Sequence, residues 1–234
     1  GMTASLELKD FKTVILSKNG LEETSTYNAQ GGIAGAIAKW DSTEKHIQDT
    51  IQTGCGIANP EAVKVLVQEG VEKLKGLIDM GLAFDRRKKE YHFTMEGGHT
   101  CRRILHINGD ATGKGIAEFL YRKVADEEKI KILHSHFLVD FIVRENRVMG
   151  ALVYDEQKKK FSIFRAKVFI LASGGAGNIF QETTNPAGIT GDGIATAYRC
   201  GAILEDLEFY QFHPTTFYQA GAPRFLISES VRGE

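Results

Sequence analysis

Cysteine and proline are both scarce in this chain. The 234 residues include three cysteines and four prolines. Cys55, Cys101 and Cys200 lie far apart and share no C-x-x-C spacing, which excludes a disulfide framework and argues against a structural zinc site. Dispersed thiols are typical of a reducing compartment, so we expect a cytoplasmic protein.

Long apolar runs and an excess of charge of one sign are also missing. No run approaches the roughly 18 apolar residues of a membrane span, and no signal-peptide pattern stands at the start. Lys and Arg total 29 against 30 Asp and Glu, so the formal net charge is −1. This balance argues against nucleic acids and anionic membranes as partners.

The seven histidines do not form a convincing metal-binding pattern. His92, His99 and His106 are spaced seven apart, but the glycines between and after them prevent one continuous helix from stacking the three rings. His134 and His136 are expected on one face of a strand. We therefore predict no metal site.

Glycine is the residue in excess, with 25 of 234 positions, or about 11%, against an average of roughly 7%. The glycines concentrate in a few clusters. Clustered glycine usually marks backbone that approaches a ligand closely or turns through positive φ.

Apolar periodicity and turn residues predict an α/β chain. Helices are expected over residues 3–8, 42–53, 60–77, 115–126 and 194–200, and strands over 12–18, 130–134, 137–144, 148–154, 161–166 and 168–172. Asp41-Ser42 is expected to cap the second helix, and Asn59-Pro60 is expected to begin the third. The short connections at 145–147 and 155–160 predict an antiparallel meander for the middle three strands. The run at 168–172 is continuously apolar, which fits a strand buried on both faces.

That last run leads into glycines and then a helix. Ser173-Gly174-Gly175-Ala176-Gly177 follows it directly, and Gly191-Asp192-Gly193 opens the helix further on. A strand, glycines and a helix in this order offer backbone N–H groups to an anion such as a phosphate.

An ordered set of motifs now becomes specific. The motifs are Ser17-Lys18, Ser25-Thr26-Tyr27-Asn28-Ala29-Gln30-Gly31-Gly32-Ile33, Glu96-Gly97-Gly98-His99, Ala172-Ser173-Gly174-Gly175, Gly191-Asp192-Gly193 and Glu208-Phe209-Tyr210-Gln211-Phe212-His213-Pro214-Thr215. Together they resemble the flavoprotein family of L-aspartate oxidase, fumarate reductase and succinate dehydrogenase, along essentially the whole chain. The resemblance implies an FAD-binding Rossmann-like (glutathione-reductase-like) domain over residues 1–211, with the meander inserted. The start of an α+β capping domain is expected over residues 212–234.

The resemblance also sets expectations for the two ends. Gly1 resembles the last glycine of the family's G-x-G-x-x-G fingerprint, and the alternative is a leftover tag glycine before an initiator Met2. The family's main catalytic arginine lies beyond the last motif, and Arg232 does not correspond to it. We expect these residues to be part of a longer molecule.

The cofactor implied by the resemblance is FAD. The residues expected to contact it are Gly1, Ser17, Lys18, Ser25, Thr26, Asn28, Ala29, Gln30, Gly31, Gly32, Val139, Ser173, Gly174, Gly175 and Asp192. Ser17 and Lys18 correspond to the ribose side, Val139 to an adenine neighbour, and Asp192 to the glycine turn near the ring.

Two positions favour the aspartate oxidase branch. Membrane-bound members carry a flavin-linked histidine where this chain has Ser25, so the resemblance implies non-covalent FAD. Glu96 stands in E-G-G-H, and the resemblance implies that this glutamate receives the substrate ammonium. A carboxylate suits an amino acid but would repel a plain dicarboxylate.

The remaining substrate-site residues follow from the same resemblance. His213 in F-H-P-T and Ser228, at a family threonine, are expected to contact substrate carboxylates. Thr100 is expected to donate a hydrogen bond to substrate or flavin, and Glu229 to contribute a charge near the substrate.

The implied reaction is the oxidation of L-aspartate to iminoaspartate by hydride transfer to FAD. Fumarate or O₂ would accept the electrons, and iminoaspartate would feed quinolinate and NAD synthesis, which suggests a functional link to quinolinate synthase. A soluble fumarate reductase, a succinate dehydrogenase-type subunit and a non-catalytic FAD-binding fragment remain as alternatives.

Overall fold

The computed structural model describes residues 1–213, 215–217, 219 and 225–227. The chain divides into two compact units. The first contains Gly1–Asn28 and Ala117–Leu226, and the second contains Ala29–Ile116. The domain boundary near residue 211 that the sequence suggests stays a prediction.

Two of the five α-helices in the described part of the chain begin at a side-chain cap. Ser42 accepts a hydrogen bond from the N–H of Lys45, and the Asn59 side chain accepts from the N–H groups of Glu61 and Ala62. Both residues satisfy otherwise unpaired donors of a first helical turn, as their position in the sequence predicted. The helices are α1 (Met2–Glu7), α2 (Thr43–Thr53), α3 (Pro60–Asp79), α4 (Thr112–Ala125) and α5 (Asp192–Arg199).

The strands form several small sheets. They are β1 (Thr13–Leu16), β2 (Ile33–Ala34), β3 (Arg86–Arg87), β4 (Glu90–Tyr91), β5 (Phe93–Thr94), β6 (Ile104–Leu105), β7 (Ile130–Leu133), β8 (His136–Arg144), β9 (Arg147–Asp155), β10 (Lys160–Phe164), β11 (Thr216–Phe217) and β12 (Phe225–Leu226). The short strands β2 to β6 have too few residues to show an alternating pattern, so the sequence does not predict them.

The first unit combines a parallel pair with the predicted meander. Strand β1 pairs in parallel with β7, with Thr13 opposite Ile130 and Leu16 opposite Leu133. Strands β10, β9 and β8 form the antiparallel sheet, which confirms the meander. The buried core of this unit includes Val124 of α4 and Val153 of β9, which have no exposed surface.

The second unit is built on the sheet β2–β6–β5 and on helices α2 and α3. Leu74 of α3 and Ile104 and Leu105 of β6 are almost completely buried. The polar loop between β5 and β6 is therefore anchored at both ends by strands of one sheet.

Two predictions for the first unit are wrong. Residues 168–172 form no regular strand, and Val168 and Ile170 are 72% and 56% exposed. An apolar run favours burial, but a strand also needs a neighbouring strand for its backbone hydrogen bonds. No strand of the described residues pairs with residues 168–172. His134 and His136 do not share one strand, because Ser135 has a φ of +58° and separates β7 from β8.

The described residues contain neither a membrane-spanning helix nor a metal-binding cluster. No helix there has the length and apolarity to cross a membrane. No group of three His, Cys, Asp or Glu side chains there is arranged to hold a metal ion. The three cysteines are all free thiols.

Gly32 is a position where the backbone leaves no room for a side chain. A Cβ there would collide with Ile104 Cγ2 and stand 2.7 Å from the carbonyl oxygen of Leu105. We expect Gly32→Ala to destabilise the protein by about 1–3 kcal/mol, because the overpacked neighbour is backbone of β6.

The matched control is Gly31→Ala, since a Cβ at Gly31 meets nothing within 4 Å. Its effect should stay within about 0.5 kcal/mol. Urea unfolding of the flavin-free protein measures both variants, and equal losses would contradict the close approach at Gly32.

Candidate functional site

In the first unit, several predicted cofactor residues lie at strand and helix ends. Ser17 and Lys18 directly follow β1, and Asp192 is the first residue of α5. Lys18 Nζ lies 2.8 Å from Asp192 Oδ2 and 2.9 Å from Thr190 Oγ1. The lysine ammonium therefore ties the end of β1 to the start of α5.

The turn after residues 168–172 is made of small residues. Ser173 Oγ lies beside Gly193, the second residue of α5. Gly174 has a φ of +77°, and a Cβ on Gly174 or Gly175 would meet nothing within 4 Å. This open backbone surface, next to a helix start, fits the phosphates of a dinucleotide cofactor such as FAD.

The other predicted cofactor residues of this unit occupy varied surroundings. Gly1 caps α1, and Ser25 and Thr26 are exposed in the loop after β1. Asn28 donates from its side chain to the carbonyls of Glu22 and Thr24 and so folds this loop onto itself. Val139 lies at a bulge of β8, where its carbonyl accepts from Arg199.

In the second unit, the predicted flavin loop runs from Ala29 through Gln30 and Gly31 to Gly32, just before β2. The carbonyl of Ala29 accepts a 3.0 Å hydrogen bond from the N–H of Gly113 in α4. Gly31 is exposed and has open space at its Cα. The loop is thus held at its two ends, and the backbone at Gly31 between them is open to solvent.

Glu96 lies in the loop between β5 and β6 beside a histidine. Its Oε1 is 3.8 Å from His106 Nε2, and its side chain is 28% exposed. His106 Nδ1 donates to the carbonyl of Gly109, so in the neutral ring Nε2 accepts from the hydroxyl of Thr94, 2.8 Å away. Glu96 therefore offers a partly buried carboxylate to a cation.

The strongest charge cluster of the unit was not predicted. Arg103, directly before β6, is completely buried. Its Nε and Nη2 donate to the two carboxylate oxygens of Asp41 at 2.7 and 2.9 Å, and Nη1 donates to Asp49. Nη1 also lies 3.1 Å from His99 Nδ1. Four of the five N–H groups of the guanidinium are used in these contacts.

One signal in the sequence pointed toward this cluster. Arg103 immediately precedes the apolar pair Ile104-Leu105, and a charged residue entering a buried strand requires a counter-charge. Asp41 was interpreted only as a helix-capping residue. The identity of its partner depends on the tertiary fold.

The cluster shifts the titration of its members. Burial alone would raise the pKa of Asp41 and of Asp49, but hydrogen bonds from Arg103 and from neighbouring N–H groups outweigh it and lower both. Burial, and then the Arg103 charge, lower the pKa of His46 and of His99. At neutral pH the cluster therefore holds one cation, two carboxylates and two neutral imidazoles.

The four remaining substrate-site predictions have different outcomes. The hydroxyl of Thr100 donates to Asp49 and its N–H also donates there, so its proton is engaged within the cluster. The N–H of Thr215 donates to His213 Nδ1 at 3.3 Å. Ser228 and Glu229 lie outside the described residues. The catalytic roles of all four stay predictions.

Asp49→Asn tests the energetic weight of the cluster. The change leaves a buried guanidinium with one carboxylate fewer, and we expect a loss of about 3–5 kcal/mol in the free energy of unfolding. Asp140→Asn is the control, since Asp140 pairs with Arg199 while the two side chains are 38% and 47% exposed, and it should cost less than about 1 kcal/mol. Urea denaturation would contradict the prediction if the two losses were similar.

The half-buried histidines of this cluster, His46 and His99, predict acid sensitivity. The folded-state pKa values of His46 and His99 lie below the ordinary 6.5. Below pH 6.5 the unfolded chain therefore binds more protons than the folded chain. The stability that these two histidines contribute is fully present above pH 6.5 and is lost as the pH falls through their lowered pKa values. His46→Leu should flatten the loss between pH 7.5 and pH 5.5 measured by urea midpoints. The same change at exposed His92 should leave the slope unaltered, and an unaltered slope in both would contradict the prediction.

Comparison with known proteins identifies the fold. The profile described as FAD binding domain matches residues 1–234. L-aspartate oxidases of Vibrio cholerae and Yersinia pestis are 38% and 40% identical over the whole chain, and each alignment covers 46% of the relative. The chain thus spans about half the length of these curated relatives.

Solved structures agree with this result. Mycobacterium smegmatis Sdh1 in complex with UQ1 has a TM-score of 0.90 at 29% identity, covering 99% of this chain and 41% of that one. A variant of the E. coli quinol fumarate reductase FrdA has a TM-score of 0.79 at 25% identity, covering 85% and 34%. The predicted fold class is therefore confirmed, and the chain belongs to the FAD binding domain family of flavoproteins.

Proposed function

We propose that this chain is the FAD-binding part of an L-aspartate oxidase, which converts L-aspartate to iminoaspartate. The observation that carries the proposal is the 37–40% identity to several L-aspartate oxidases along all or nearly all of the chain. Because the chain spans about half of those relatives, the activity is assigned to the whole protein.

Glu96 supports the choice of an amino acid as substrate. Its partly buried carboxylate is well suited to hold an ammonium, since a charge-assisted hydrogen bond gains strength away from bulk water. The same carboxylate would disfavour a dicarboxylate that lacks the amine. This difference separates an aspartate oxidase from a fumarate or succinate enzyme.

His213 supports carboxylate binding by its tautomer. The N–H of Thr215 donates to Nδ1, so in the neutral ring the proton lies on Nε2. An Nε2–H group is a donor for a substrate carboxylate. Ser228 would contribute a hydroxyl donor and Glu229 a nearby charge.

The cofactor is held by backbone and by small polar side chains. FAD, when bound, supplies the two-electron acceptor for the oxidation. The turn at Ser173-Gly174-Gly175 would receive phosphates, and Ser17 and Lys18 would lie toward the ribose. Ser25, where a histidine would permit covalent attachment, supports non-covalent binding.

The wider role follows from the same assignment. Fumarate or O₂ would reoxidise the flavin, and iminoaspartate would be consumed in quinolinate formation for NAD synthesis, in the cytoplasm. Quinolinate synthase would then act on the product. A succinate dehydrogenase-type flavoprotein is the second candidate, favoured by the TM-score of 0.90 with Sdh1.

A spectroscopic experiment on the whole protein separates the candidates. Acid should release the yellow flavin, because it is not covalently bound. Under nitrogen, L-aspartate should bleach the flavin absorption, and fumarate should restore it. Bleaching by succinate without bleaching by aspartate would exclude the oxidase and favour the second candidate.

Glu96→Gln then tests the origin of the selectivity. We expect kcat/KM for aspartate to fall roughly 10- to 100-fold, because the ammonium loses a charged partner. Inhibition by succinate should stay unchanged or become stronger, since a repulsive charge is removed. Equal losses with both ligands would remove the ammonium-binding role of Glu96.

A further inference from the structure

His99 occupies an unusual position between a buried cation and solvent. Arg103 Nη1 lies 3.1 Å from His99 Nδ1. A guanidinium carries only donors, so Nδ1 must accept this hydrogen bond and cannot carry a proton. The single proton of the neutral ring is therefore on Nε2, and a buried, fully charged residue fixes this tautomer.

The Nε2–H group is available to a ligand. It makes no hydrogen bond with any residue in the described part of the chain, and it is not among the buried polar atoms that lack a partner there. Of the pair His46 and His99, whose ring centroids are 5.6 Å apart, the orphaned buried atom is His46 Nδ1. The free donor of His99 thus reaches solvent.

The surroundings of His99 keep its ring neutral, and burial keeps the Arg103 guanidinium away from a ligand. His99 is surrounded by Arg103, His46, Asp41, Asp49 and Glu96. Arg103 is completely buried and has its donors directed at Asp41, Asp49 and His99, so it cannot contact a ligand itself. The cluster therefore presents an oriented, uncharged N–H donor.

Glu96 belongs to the same turn, because the N–H of His99 donates to the carbonyl of Glu96 at 3.3 Å. An acceptor carboxylate and an N–H donor are thus three residues apart on one turn. An α-amino acid carries an ammonium and a carboxylate on a single carbon, which is the complementary pair. A dicarboxylate without the amine matches only the donor.

We propose that His99 is a substrate-binding residue whose Nε2–H donates to the α-carboxylate of the amino acid held at its ammonium by Glu96. The inference rests on the proposed function, because it uses the ammonium-binding role of Glu96. It extends that function by assigning one loop, residues 96–103, to the recognition of the α-amino acid group.

Two substitutions of His99 distinguish the role of Nδ1 from the role of Nε2. In His99→Gln the side-chain amide extends to the position of Nε2 and keeps a donor there. In His99→Asn the shorter amide replaces Nδ1, which keeps the contact to Arg103 and removes the outer donor. The whole protein loaded with FAD is used for both variants, and the flavin content and melting temperature of each are measured first.

Two ligands distinguish a contact to the α-carboxylate from a contact to the side-chain carboxylate of aspartate. α-Methyl-L-aspartate keeps the ammonium and both carboxylates but has no Cα hydrogen, so it cannot be oxidised. β-Alanine keeps the ammonium and one carboxylate and lacks the α-carboxylate. We expect His99→Asn to weaken α-methyl-L-aspartate roughly 10- to 100-fold by calorimetric titration, and His99→Gln to weaken it less than about 3-fold, since its donor remains. β-Alanine should bind equally to all three proteins.

Several outcomes would overturn the assignment. Loss of α-methyl-L-aspartate binding in His99→Gln with retention in His99→Asn would mean that His99 only supports Arg103. Equal losses for both ligands would mean that it does not act on the α-carboxylate, and no loss in either variant would exclude the contact. A wild-type protein that binds neither ligand would overturn it as well. Failure of the proposed function is recognised separately. In that case aspartate does not bleach the flavin of the wild-type protein, but His99→Asn still binds α-methyl-L-aspartate more weakly than the wild type does.

Discussion

The buried charge of Arg103 is the constraint on which the second unit depends. A guanidinium without solvent needs carboxylates in fixed positions, because an uncompensated buried charge costs several kcal/mol. Asp41 before α2, Asp49 within α2 and Thr100 in the loop before β6 are all tied to this requirement. The polar loop that carries Glu96 is therefore held by a network at one end and by the strand pairing of β5 at the other.

The first unit uses a weaker version of the same device. Lys18 joins the end of β1 to Asp192 at the start of α5, but both side chains are 31% exposed. Water competes for these charges, so the pair contributes less than a buried one and serves mainly to orient the two ends. The difference suits their tasks. The turn at Gly174, which we propose to bind the cofactor, depends on backbone conformation, whereas the loop at Glu96, which we propose to bind the substrate, depends on side chains that must keep one orientation.

Local chemistry was readable from the sequence, and long-range pairing was not. The caps at Ser42 and Asn59 act within three residues, and the meander follows from short hairpin connections, so both were predicted correctly. Residues 168–172 were assigned to a strand on their apolar character alone, which says nothing about a partner. The Glu96 motif was recognised by resemblance. Its support was missed because Asp41 and Asp49 lie more than fifty residues before Arg103, and no periodicity links them.

Hydrogen-bond partners on one ring nitrogen decide whether the other ring nitrogen of His99, His106 or His213 donates or accepts. In the neutral ring of His106, Nδ1 donates to a carbonyl and Nε2 is an acceptor. Nδ1 of His99 accepts from Arg103 and that of His213 accepts from the N–H of Thr215, so both rings carry the proton on Nε2. Within the second unit, the Nε2 acceptor of His106 lies beside the carboxylate of Glu96. The backbone and a buried arginine thus set the donor pattern before any ligand arrives, so little reorganisation is required on binding.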